Sequence, residues 1–424
     1  MAISTPEGYR ALDDRSVAEY LAGLPAVSAR LGGAPTGWQV GEVGDGNLNL
    51  VFIVAGPAGQ VCVKQALPYV RLVGEGWPLD LKRAWFEHRA ASIQSQHAGP
   101  RIPELLHFDD SLYLIVMACC RPHIIMRRGM IQGVVYPEFA EHIAEYMAAT
   151  LYHTSDMALP AAEKRELVAA FSGNTELCKI TEDLIFTDPY MVCSRNRWTS
   201  PQLDDVAAEI RADSALKRAV SALKLKFLGE AQALLHGDLH TGSIMVTADD
   251  TKVIDPEFAV MGPMGFDVGK LLGNLLMSHF SQRGHERTPG ERDAYRRWIL
   301  GTVEETWTRF SRRFLELWTV HPTGDGYPAS LFDGAAGRAS LREAQAAYMR
   351  CLFEDARGFA GAAMIRRTLG LAHNIDMEWI EDPDRRADCE RRNLRLAREL
   401  ITGAAGFPDI TAVTARAAAI ERLP

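Results

Sequence analysis

The 424-residue sequence lacks the long apolar runs and the cysteine spacings that mark membrane and secreted proteins. No apolar run approaches the roughly 18 residues that cross a bilayer. Residues 1–20 contain no continuous apolar segment, which argues against a secretory signal. The seven cysteines show no CxxC spacing, which is typical of reduced thiols rather than of a disulfide framework or a zinc site. We therefore expect a cytoplasmic protein without a membrane partner.

The sequence also lacks an excess of basic residues. A net charge of −8 and a pI near 5.9 provide no general attraction to nucleic acid or to an anionic membrane surface. Any anionic ligand must therefore be held by a local positive site, and a small phosphorylated ligand fits that condition. There is no internal repeat, heptad seam or long low-complexity segment. The hydrophobic fraction of 47% is enough for substantial cores in two or three domains.

The most informative stretch is residues 234–258, LLHGDLHTGSIMVTADDTKVIDPEF. Its two short apolar runs flank a polar turn and predict a β-hairpin. Because a hairpin brings its two ends together, Asp238 before it can meet Asp255 and Glu257 after it. Such carboxylates suit a divalent cation and a reacting hydroxyl, which are the parts that phosphoryl transfer requires. The alternative is an acidic hairpin that only caps a domain edge, and the joined pattern disfavours it.

The N-terminal part of the sequence changes from helical to strand-like spacing. Residues 5–31 have helical spacing, and glycine-punctuated β-type runs follow at 38–43, 50–54 and 61–63. Two further strand-like runs lie within residues 101–120. Residues 1–117 are therefore predicted to form a small, sheet-rich lobe.

Three residues of this lobe are candidates for a phosphate site. Asn47 lies in a glycine turn whose backbone could cover the phosphates of a nucleotide. Lys64 ends the third strand-like run and could bridge two phosphates. Glu87 lies in a helix predicted over residues 79–96 and could pair with Lys64. An exposed strand lysine and a solvated helix face are the competing interpretations.

Residues 118–424 are predicted to form a larger, mainly helical lobe that contains the catalytic hairpin 236–258. The predicted helices cover residues 137–154, 161–171, 201–230, 265–280, 291–317 and 340–370. The expected fold class is therefore α+β, with a small antiparallel-sheet lobe followed by a larger helical lobe, which is the layout of a bilobal kinase.

Several strings in the sequence are long enough to indicate a family. They are GDGNLNLVF at 44–52, WP at 77–78, HGDLHTGSIM at 236–245, DPEF at 255–258 with GPMGFD at 262–267, and RR at 366–367 with GLAH at 370–373. From about residue 40 to 375 the sequence resembles the S-methyl-5-thioribose kinases, in the aminoglycoside-phosphotransferase and choline-kinase-like branch of the protein-kinase-like fold.

The resemblance implies phosphorylation of the 1-hydroxyl of S-methyl-5-thioribose by a homodimer, using ATP and Mg²⁺, in methionine salvage. It implies that Asp238 orients and deprotonates that hydroxyl. Asp255 and Glu257 would hold Mg²⁺, and with Pro256 between them they would form part of the nucleotide site. Lys64 would contact the phosphates, with Glu87 as its partner, and Asn47 would contact ATP.

The resemblance also implies where adenine and sugar bind. Ala118, Cys119 and Cys120 fall where the interlobe hinge should read adenine through its backbone. The sugar would be bound by Arg366 and Arg367, together with Trp77.

The sequence departs from related patterns at three points. Position 243 is Ser, where the broader phosphotransferase group uses Asn as a metal ligand, so the metal would depend on Asp255 and Glu257. The hinge lacks the acidic residues that family members often carry there. There is no DFG and no APE segment, which argues against a protein kinase regulated through an activation loop.

Two other functions are considered. The first is a related kinase of another sugar, choline or an aminoglycoside; cationic acceptors would not favour the Arg366 and Arg367 pair. The second is a pseudokinase or nucleotide-sensing scaffold. Such proteins usually lose the lysine, the base or the metal carboxylate, whereas Lys64, Asp238 and Asp255 are all present.

Overall fold

The computed structural model describes residues 5–44, 48–71, 74 and 76–423. The N-terminal part of the chain contains a five-stranded antiparallel sheet in the order β1-β2-β3-β5-β4. Its strands are β1 (Gln39–Glu42), β2 (Asn49–Ala55), β3 (Gln60–Ala66), β4 (Leu105–Asp109) and β5 (Leu114–Ala118). Lys64 lies on the central strand, opposite Val51 of β2 and Ile115 of β5. Asn47 falls outside the described residues.

Helices cover both faces of this sheet. Helices α1 (Asp14–Ala22) and α2 (Pro25–Leu31) share a buried core with Val61 and Val63 of β3. Alternation along the strand turns Lys64 to the opposite face, where helix α3 (Arg83–Ala98) carries Glu87. The prediction of a single continuous helix over residues 5–31 is wrong, because the structure has two helices there. They meet at residues 23–24, because Pro25 starts α2 as an N-terminal proline.

The rest of the chain is mainly helical, with short strand pairs around the predicted hairpin. Its elements are β6 (Ile124–Ile125), α4 (Met126–Ile131), α5 (Phe139–His153), α6 (Ala161–Phe171), α7 (Thr175–Phe186), α8 (Asp204–Ala212), α9 (Ser214–Gly229), β7 (Ala233–Leu234), β8 (Ile244–Val246), β9 (Thr251–Val253), β10 (Met261–Gly262), α10 (Gly265–Ser281), α11 (Asp293–Val320), α12 (Gly334–Leu369), α13 (Ile375–Glu378), α14 (Pro383–Thr402) and α15 (Ile410–Glu421). The α+β class, with a small antiparallel sheet followed by a larger helical region, is confirmed.

Helix α10 lies at the centre of the helical region, and all of its residues are buried. It packs closely on α12 through glycines. A Cβ added at Gly269 would lie 2.2 Å from the carbonyl oxygen of Ala356, and one at Gly273 would lie 2.7 Å from that of Ala360. Only hydrogen at these positions lets the two helix backbones approach so closely. This contact fixes α12, which carries Arg366 and Arg367, against α10.

The predicted hairpin is present as the antiparallel pair β8 and β9, in which Ile244 lies opposite Val253. The helix predicted over residues 201–230 is divided into α8 and α9 by Asp213. The side chain of Asp213 accepts a hydrogen bond from the Leu216 amide and so starts a new helix. Helices α7, α14 and α15 were not predicted. In the described part of the chain, no helix is both long and apolar enough to cross a membrane.

Candidate active site

The loop that precedes the hairpin, residues 236–243, is held from below by helix α10. Asp267 in the first turn of α10 accepts hydrogen bonds from the backbone amides of His236 at 2.6 Å and Gly237 at 3.0 Å. Gly237 has φ +80°, and a Cβ there would lie 2.0 Å from the carbonyl oxygen of Phe258. The glycine of the HGD motif is therefore required both by its dihedral and by the close approach of the chain.

Asp238 is surrounded by nitrogen atoms. Its Oδ1 contacts the Nζ of Lys270, from the second turn of α10. Its Oδ2 lies 3.3 Å from the Nε2 of His240, and the guanidinium of Arg367 lies 3.9 Å from Oδ1. The Asp238 side chain keeps 23% of its surface exposed, whereas that of Lys270 keeps 6%. The carboxylate therefore faces the open side of the site and the lysine supports it from the interior.

The hydrogen bonds of His240 decide its tautomer. Its Nδ1 accepts hydrogen bonds from the backbone amides of Gly242 and Ser243, both at 3.0 Å. A neutral imidazole that accepts at Nδ1 carries its hydrogen on Nε2, and this Nε2 faces Asp238. Burial lowers the pKa of His240 to about 3, so the ring is neutral at physiological pH and donates to the carboxylate. His240 thereby fixes the orientation of Asp238.

The ionisation of Asp238 is set by opposing effects. Burial favours the protonated acid, but the charge of Lys270, the hydrogen bond from His240 and the charge of Arg367 outweigh it. Together they hold the pKa of the carboxyl well below its usual range. Asp238 is therefore a carboxylate throughout the physiological pH range.

The arginine pair lies at the end of α12. Arg366 and Arg367 both donate to the carbonyl oxygen of Ala372, at 3.2 Å and 3.3 Å. Burial, and then the charge of Arg367, lowers the pKa of Arg366 to about 9, so it remains a cation at neutral pH. Of the pair, Arg367 is the one that reaches Asp238, and one shared carbonyl orients both guanidiniums.

A third arginine, Arg127, also holds the loop. The Arg127 Nε donates to the Thr241 hydroxyl at 3.1 Å and lies 3.3 Å from a carboxylate oxygen of Asp376. Its Nη2 donates to Asn274 of α10 at 2.9 Å. Arg127 therefore joins the loop to α10 and to α13.

The ion pair expected between Lys64 and Glu87 is present, with 2.8 Å between Nζ and Oε2. The same ammonium contacts Asp255 and lies 3.9 Å from Glu257. Glu87 is buried, and burial raises the pKa of its carboxyl. Asp255 is the exposed member, with 42% of its side-chain surface accessible, and its backbone has φ +72°.

Residues of the small lobe hold the side chain of Glu257, and Asn174 holds its backbone. Asn49 of β2 donates to its Oε2 at 2.8 Å, and the Nε of Arg83 lies 3.8 Å from the same oxygen. Asn174 supports the backbone, since it donates to the carbonyl oxygens of Glu257 and Ala259 at 2.9 Å and 3.0 Å. Glu257 thus connects the sheet to the segment that leaves the hairpin.

The carboxylates around Lys64 fit a hard cation. One oxygen from each of Glu87, Asp255 and Glu257 lies within 4.8 Å of the others, and oxygen ligands are those that Mg²⁺ prefers. The sequence predicted that Asp238, Asp255 and Glu257 can meet within one site. The described contacts give these acids different partners: Asp255 and Glu257 meet Lys64, whereas Asp238 meets Lys270 and His240.

The other predicted residues have contacts of their own. Ser243 donates its hydroxyl to the carbonyl of Asp238 at 2.9 Å, so it stabilises the loop directly. Trp77 packs in a small cluster with Leu177 and Phe258, next to the DPEF segment. The predicted hinge begins at the end of β5, where the Ala118 amide already donates to the carbonyl of Glu104 at 2.8 Å. Cys119 and Cys120 follow, both half-buried with free thiols.

The sequence analysis missed Lys270, Asp267, His240 and Arg127. Two of them had a detectable signal, because Asp267 and Lys270 are charged positions inside the run GFDVGKLLGNLLM, which is otherwise almost entirely apolar. A charge on a helix that is apolar all round is seldom solvated and needs a buried partner. Arg127 carried no such signal, because RR at 127–128 resembles an exposed turn.

Known proteins resemble this chain over nearly its whole length. Residues 39–315 match the model of the family described as phosphotransferase enzyme family. Methylthioribose kinase 1 of Oryza sativa subsp. japonica is 47% identical over 422 residues, covering 98% of this chain and 97% of that protein. Methylthioribose kinase 2 of the same organism is 46% identical, with the same coverage of both chains. A methylthioribose kinase of Escherichia coli is 45% identical over 97% of this chain and 98% of its own length.

Proposed function

Because the chain belongs to the methylthioribose kinases of the phosphotransferase enzyme family, we propose that it transfers the γ-phosphoryl group of ATP to the 1-hydroxyl of S-methyl-5-thioribose. The observation that carries this proposal is the 3.9 Å separation of Asp238 and Arg367. It brings the proposed base and a proposed sugar-binding arginine into one site.

Asp238 accepts the proton of the attacking hydroxyl. The hydroxyl O–H bond breaks as the proton passes to a carboxylate oxygen, while the sugar oxygen forms its bond to the γ-phosphorus and the bond from that phosphorus to the β,γ-bridging oxygen breaks. The products are the sugar 1-phosphate and ADP. A loose, metaphosphate-like transition state demands little basicity, so a carboxylate with a low pKa is adequate as the acceptor.

Lys64 binds the nucleotide phosphates and Glu87 holds its ammonium in place, 2.8 Å away. Asp255 and Glu257, with Pro256 between them, are the residues that would hold Mg²⁺. When bound there, the ion supplies positive charge that neutralises the phosphates. Ala118, Cys119 and Cys120 read adenine through the backbone, and Asn47 contacts ATP from the glycine turn.

Arg366 and Arg367 bind the sugar hydroxyls and oppose the negative charge of the transferring phosphoryl group. Their shared contact with the Ala372 carbonyl presets both side chains before the sugar binds. Trp77 covers the site from the loop beside Phe258.

The proposal includes the wider context that the resemblance implies. The enzyme is a cytoplasmic homodimer of methionine salvage, with residues 1–117 as the N-terminal lobe and 118–424 as the C-terminal lobe. Sedimentation equilibrium tests the dimer, since a mass near the 46.8 kDa of one chain would contradict it.

A substrate panel tests the proposed reaction. ADP release is measured with ATP, Mg²⁺ and one acceptor at a time: S-methyl-5-thioribose, choline, an aminoglycoside and ribose. We expect turnover with the thioribose only, and loss of turnover when Mg²⁺ is chelated. If another acceptor is phosphorylated and S-methyl-5-thioribose is not, the proposed substrate is wrong but the kinase activity stands. Nucleotide binding without turnover of any acceptor would identify a nucleotide-sensing scaffold.

A further inference from the structure

We propose that Lys270 is a positioning residue for the transfer step: it holds the Asp238 carboxylate ionised and turned toward the acceptor hydroxyl. The inference rests on the proposed function, because it concerns the same base. It deepens that function by assigning a role to a buried cation beneath the site.

The position of Lys270 on helix α10 makes this role possible. Its ammonium contacts the Oδ1 of Asp238 and also donates to the carbonyl oxygen of Gly237 at 3.2 Å. One turn earlier, Asp267 accepts the amides of His236 and Gly237. Side chains three positions apart lie on one face of a helix. A single face of α10 therefore holds the backbone of the HGD motif and the carboxylate of its aspartate.

The contacts of Asp238 leave a defined direction for substrate. Lys270 takes Oδ1 from the buried side, and His240 donates to Oδ2 at 3.3 Å. The rotation of the carboxylate is thereby fixed at both oxygens. Each carboxylate oxygen can accept more than one hydrogen bond, and the exposed 23% of the side chain is where a hydroxyl can approach.

The charged groups around this pair make Lys270 the principal countercharge of Asp238. Arg367 also faces Asp238 but stands 3.9 Å away, and His240 is neutral at physiological pH. Arg366 and Arg367 repel the ammonium of Lys270, whereas the negative charge of Asp238 attracts it. The remaining titratable neighbours are His236, Asp267, which accepts from the His236 amide, and Arg127, which lies beside His240.

Lys270 has a defined part in the chemical step and does not itself exchange a proton. The hydroxyl proton passes to Asp238, and the ammonium remains charged beside the resulting acid. Without the ammonium, burial would favour a protonated Asp238 before substrate arrives, and a protonated carboxyl cannot accept the hydroxyl proton. The lysine therefore maintains the reactive form of the base.

The pH dependence of kcat and kcat/KM tests the inference in Lys270→Met and Lys270→Arg variants. We expect Lys270→Met to lower kcat on the order of 10- to 100-fold, a part of what general-base catalysis contributes. We expect its activity to fall at a higher pH than in the wild type as the solution is acidified, because the pKa of Asp238 rises. Lys270→Arg keeps a cation and should keep the wild-type acid limit.

Lys164→Met is the matched control. Lys164 is a second buried lysine of the helical region, but it donates to the carbonyls of Thr154 at 3.0 Å and Gln232 at 2.6 Å, away from Asp238. Its loss should lower thermal stability and leave the pH profile unchanged. Calorimetric binding of an ATP analogue, retained in every variant, shows that each variant is folded.

A Lys270→Met profile that superimposes on the wild-type profile would overturn the inference. If Lys270→Met does not fold, Lys270→Gln, which can still donate to the Gly237 carbonyl, provides the same comparison. If the wild type phosphorylates an alcohol other than methylthioribose, the proposed substrate fails, and the profiles are recorded with that alcohol. The two failures are therefore distinguishable.

Discussion

Asp238 has a low pKa because Lys270 and Arg367 lie beside it, and in the proposed mechanism it must nevertheless accept a proton. These two properties are compatible when the acceptor hydroxyl is itself acidic. The 1-hydroxyl of a furanose is a hemiacetal hydroxyl, which the ring oxygen makes more acidic than that of an ordinary alcohol. A carboxylate that is always ionised and firmly oriented suits such an acceptor better than a strong but partly protonated base.

Replacement of the base by Asp238→Asn should lower kcat on the order of 10²- to 10⁴-fold, because the amide cannot accept the hydroxyl proton. Binding of the ATP analogue should persist, since the Lys64 group is separate from Asp238. Asp249→Asn, at the exposed turn of the hairpin, is the control. Steady-state ADP release measures both variants. Substantial turnover by Asp238→Asn would contradict the assigned role.

Arg366→Lys should raise the KM for methylthioribose by roughly tenfold, equivalent to about 1.4 kcal/mol, with little change in the KM for ATP. The lysine keeps the charge but loses the planar guanidinium that donates to the Ala372 carbonyl and is proposed to bind the sugar. Arg357→Lys on the same helix is the control, because Arg357 donates to Leu400 instead. Equal KM values in the two variants would exclude a role of Arg366 in sugar binding.

At the scale of elements, helix α10 organises the site through Asp267. The two carboxylate oxygens of Asp267 accept from two backbone amides. In Asp267→Asn one of these oxygens becomes an NH₂ group, which cannot accept a hydrogen bond. We expect the free energy of unfolding to fall by about 1.5–3 kcal/mol, together with a loss of kcat. Urea denaturation and ADP release measure the two effects. Asp384→Asn, an exposed aspartate in the first turn of α14, should change neither.

The contribution of Asp267 to the stability of the fold depends on pH, because its carboxyl group is buried. Burial raises the pKa of Asp267 to about 6, above the usual 3.8. The folded protein therefore takes up this proton at a higher pH than the unfolded chain does, and the contribution of Asp267 to stability decreases as the pH rises from about 4 to about 6. Asp267→Asn should remove this component of the stability profile.

The order of helices and strands along the chain was largely predictable, because the spacing of apolar residues distinguishes helices from strands. The strand runs, the hairpin and the helices around residues 265–280 and 291–317 were all predicted from periodicity. Helix α14 was not predicted, since its arginine-rich sequence reads as a polar tail although Leu394 and Leu400 are buried. The break at Asp213 was missed because a single capping residue interrupts an otherwise continuous helical pattern.

The candidate site was predictable where the layout of a kinase assigns a residue its partner. The Lys64 and Glu87 pair was expected and is present. The support beneath Asp238 was not predictable, because Lys270 is 32 residues away in sequence and reaches the loop only when α10 is placed under it. The different partners of Asp238 and of Asp255 and Glu257 were not predictable either, because Lys270 and Glu87 lie on helices outside the hairpin.

At the scale of the whole molecule, bound nucleotide should stabilise the fold. An ATP analogue with Mg²⁺ at 100 times its Kd should add about 2.7 kcal/mol and raise the melting temperature. Lys64→Met should lose most of this shift, since Lys64 is proposed to bind the phosphates. Lys82→Met, at an exposed lysine next to α3, should keep it. Differential scanning fluorimetry measures the shift, and an unchanged response in Lys64→Met would argue against the assigned nucleotide site.

His279 connects the centre of the molecule to its C-terminal helix, with its Nε2 3.9 Å from Glu421 of α15. Burial lowers the pKa of His279 to about 4, whereas an unfolded histidine titrates near 6.5. The unfolded chain therefore binds this proton first, and the stability due to neutral His279 is lost as the pH falls from 6.5 to 4. His279→Gln should flatten that part of the urea-denaturation profile relative to neutral pH. A slope identical to that of the wild type would contradict this reading.

The close contact of α10 with α12 through Gly269 and Gly273 has a practical consequence for protein engineering. The helix that supports the base also sets the position of the helix that carries the arginines. A mutant library aimed at new acceptors should therefore leave α10 unchanged, because an added methyl group there would displace catalytic and recognition groups together. Diversity belongs instead at residues 371–373, which follow α12, so that acceptor preference can change while Lys270, Arg366 and Arg367 keep their positions.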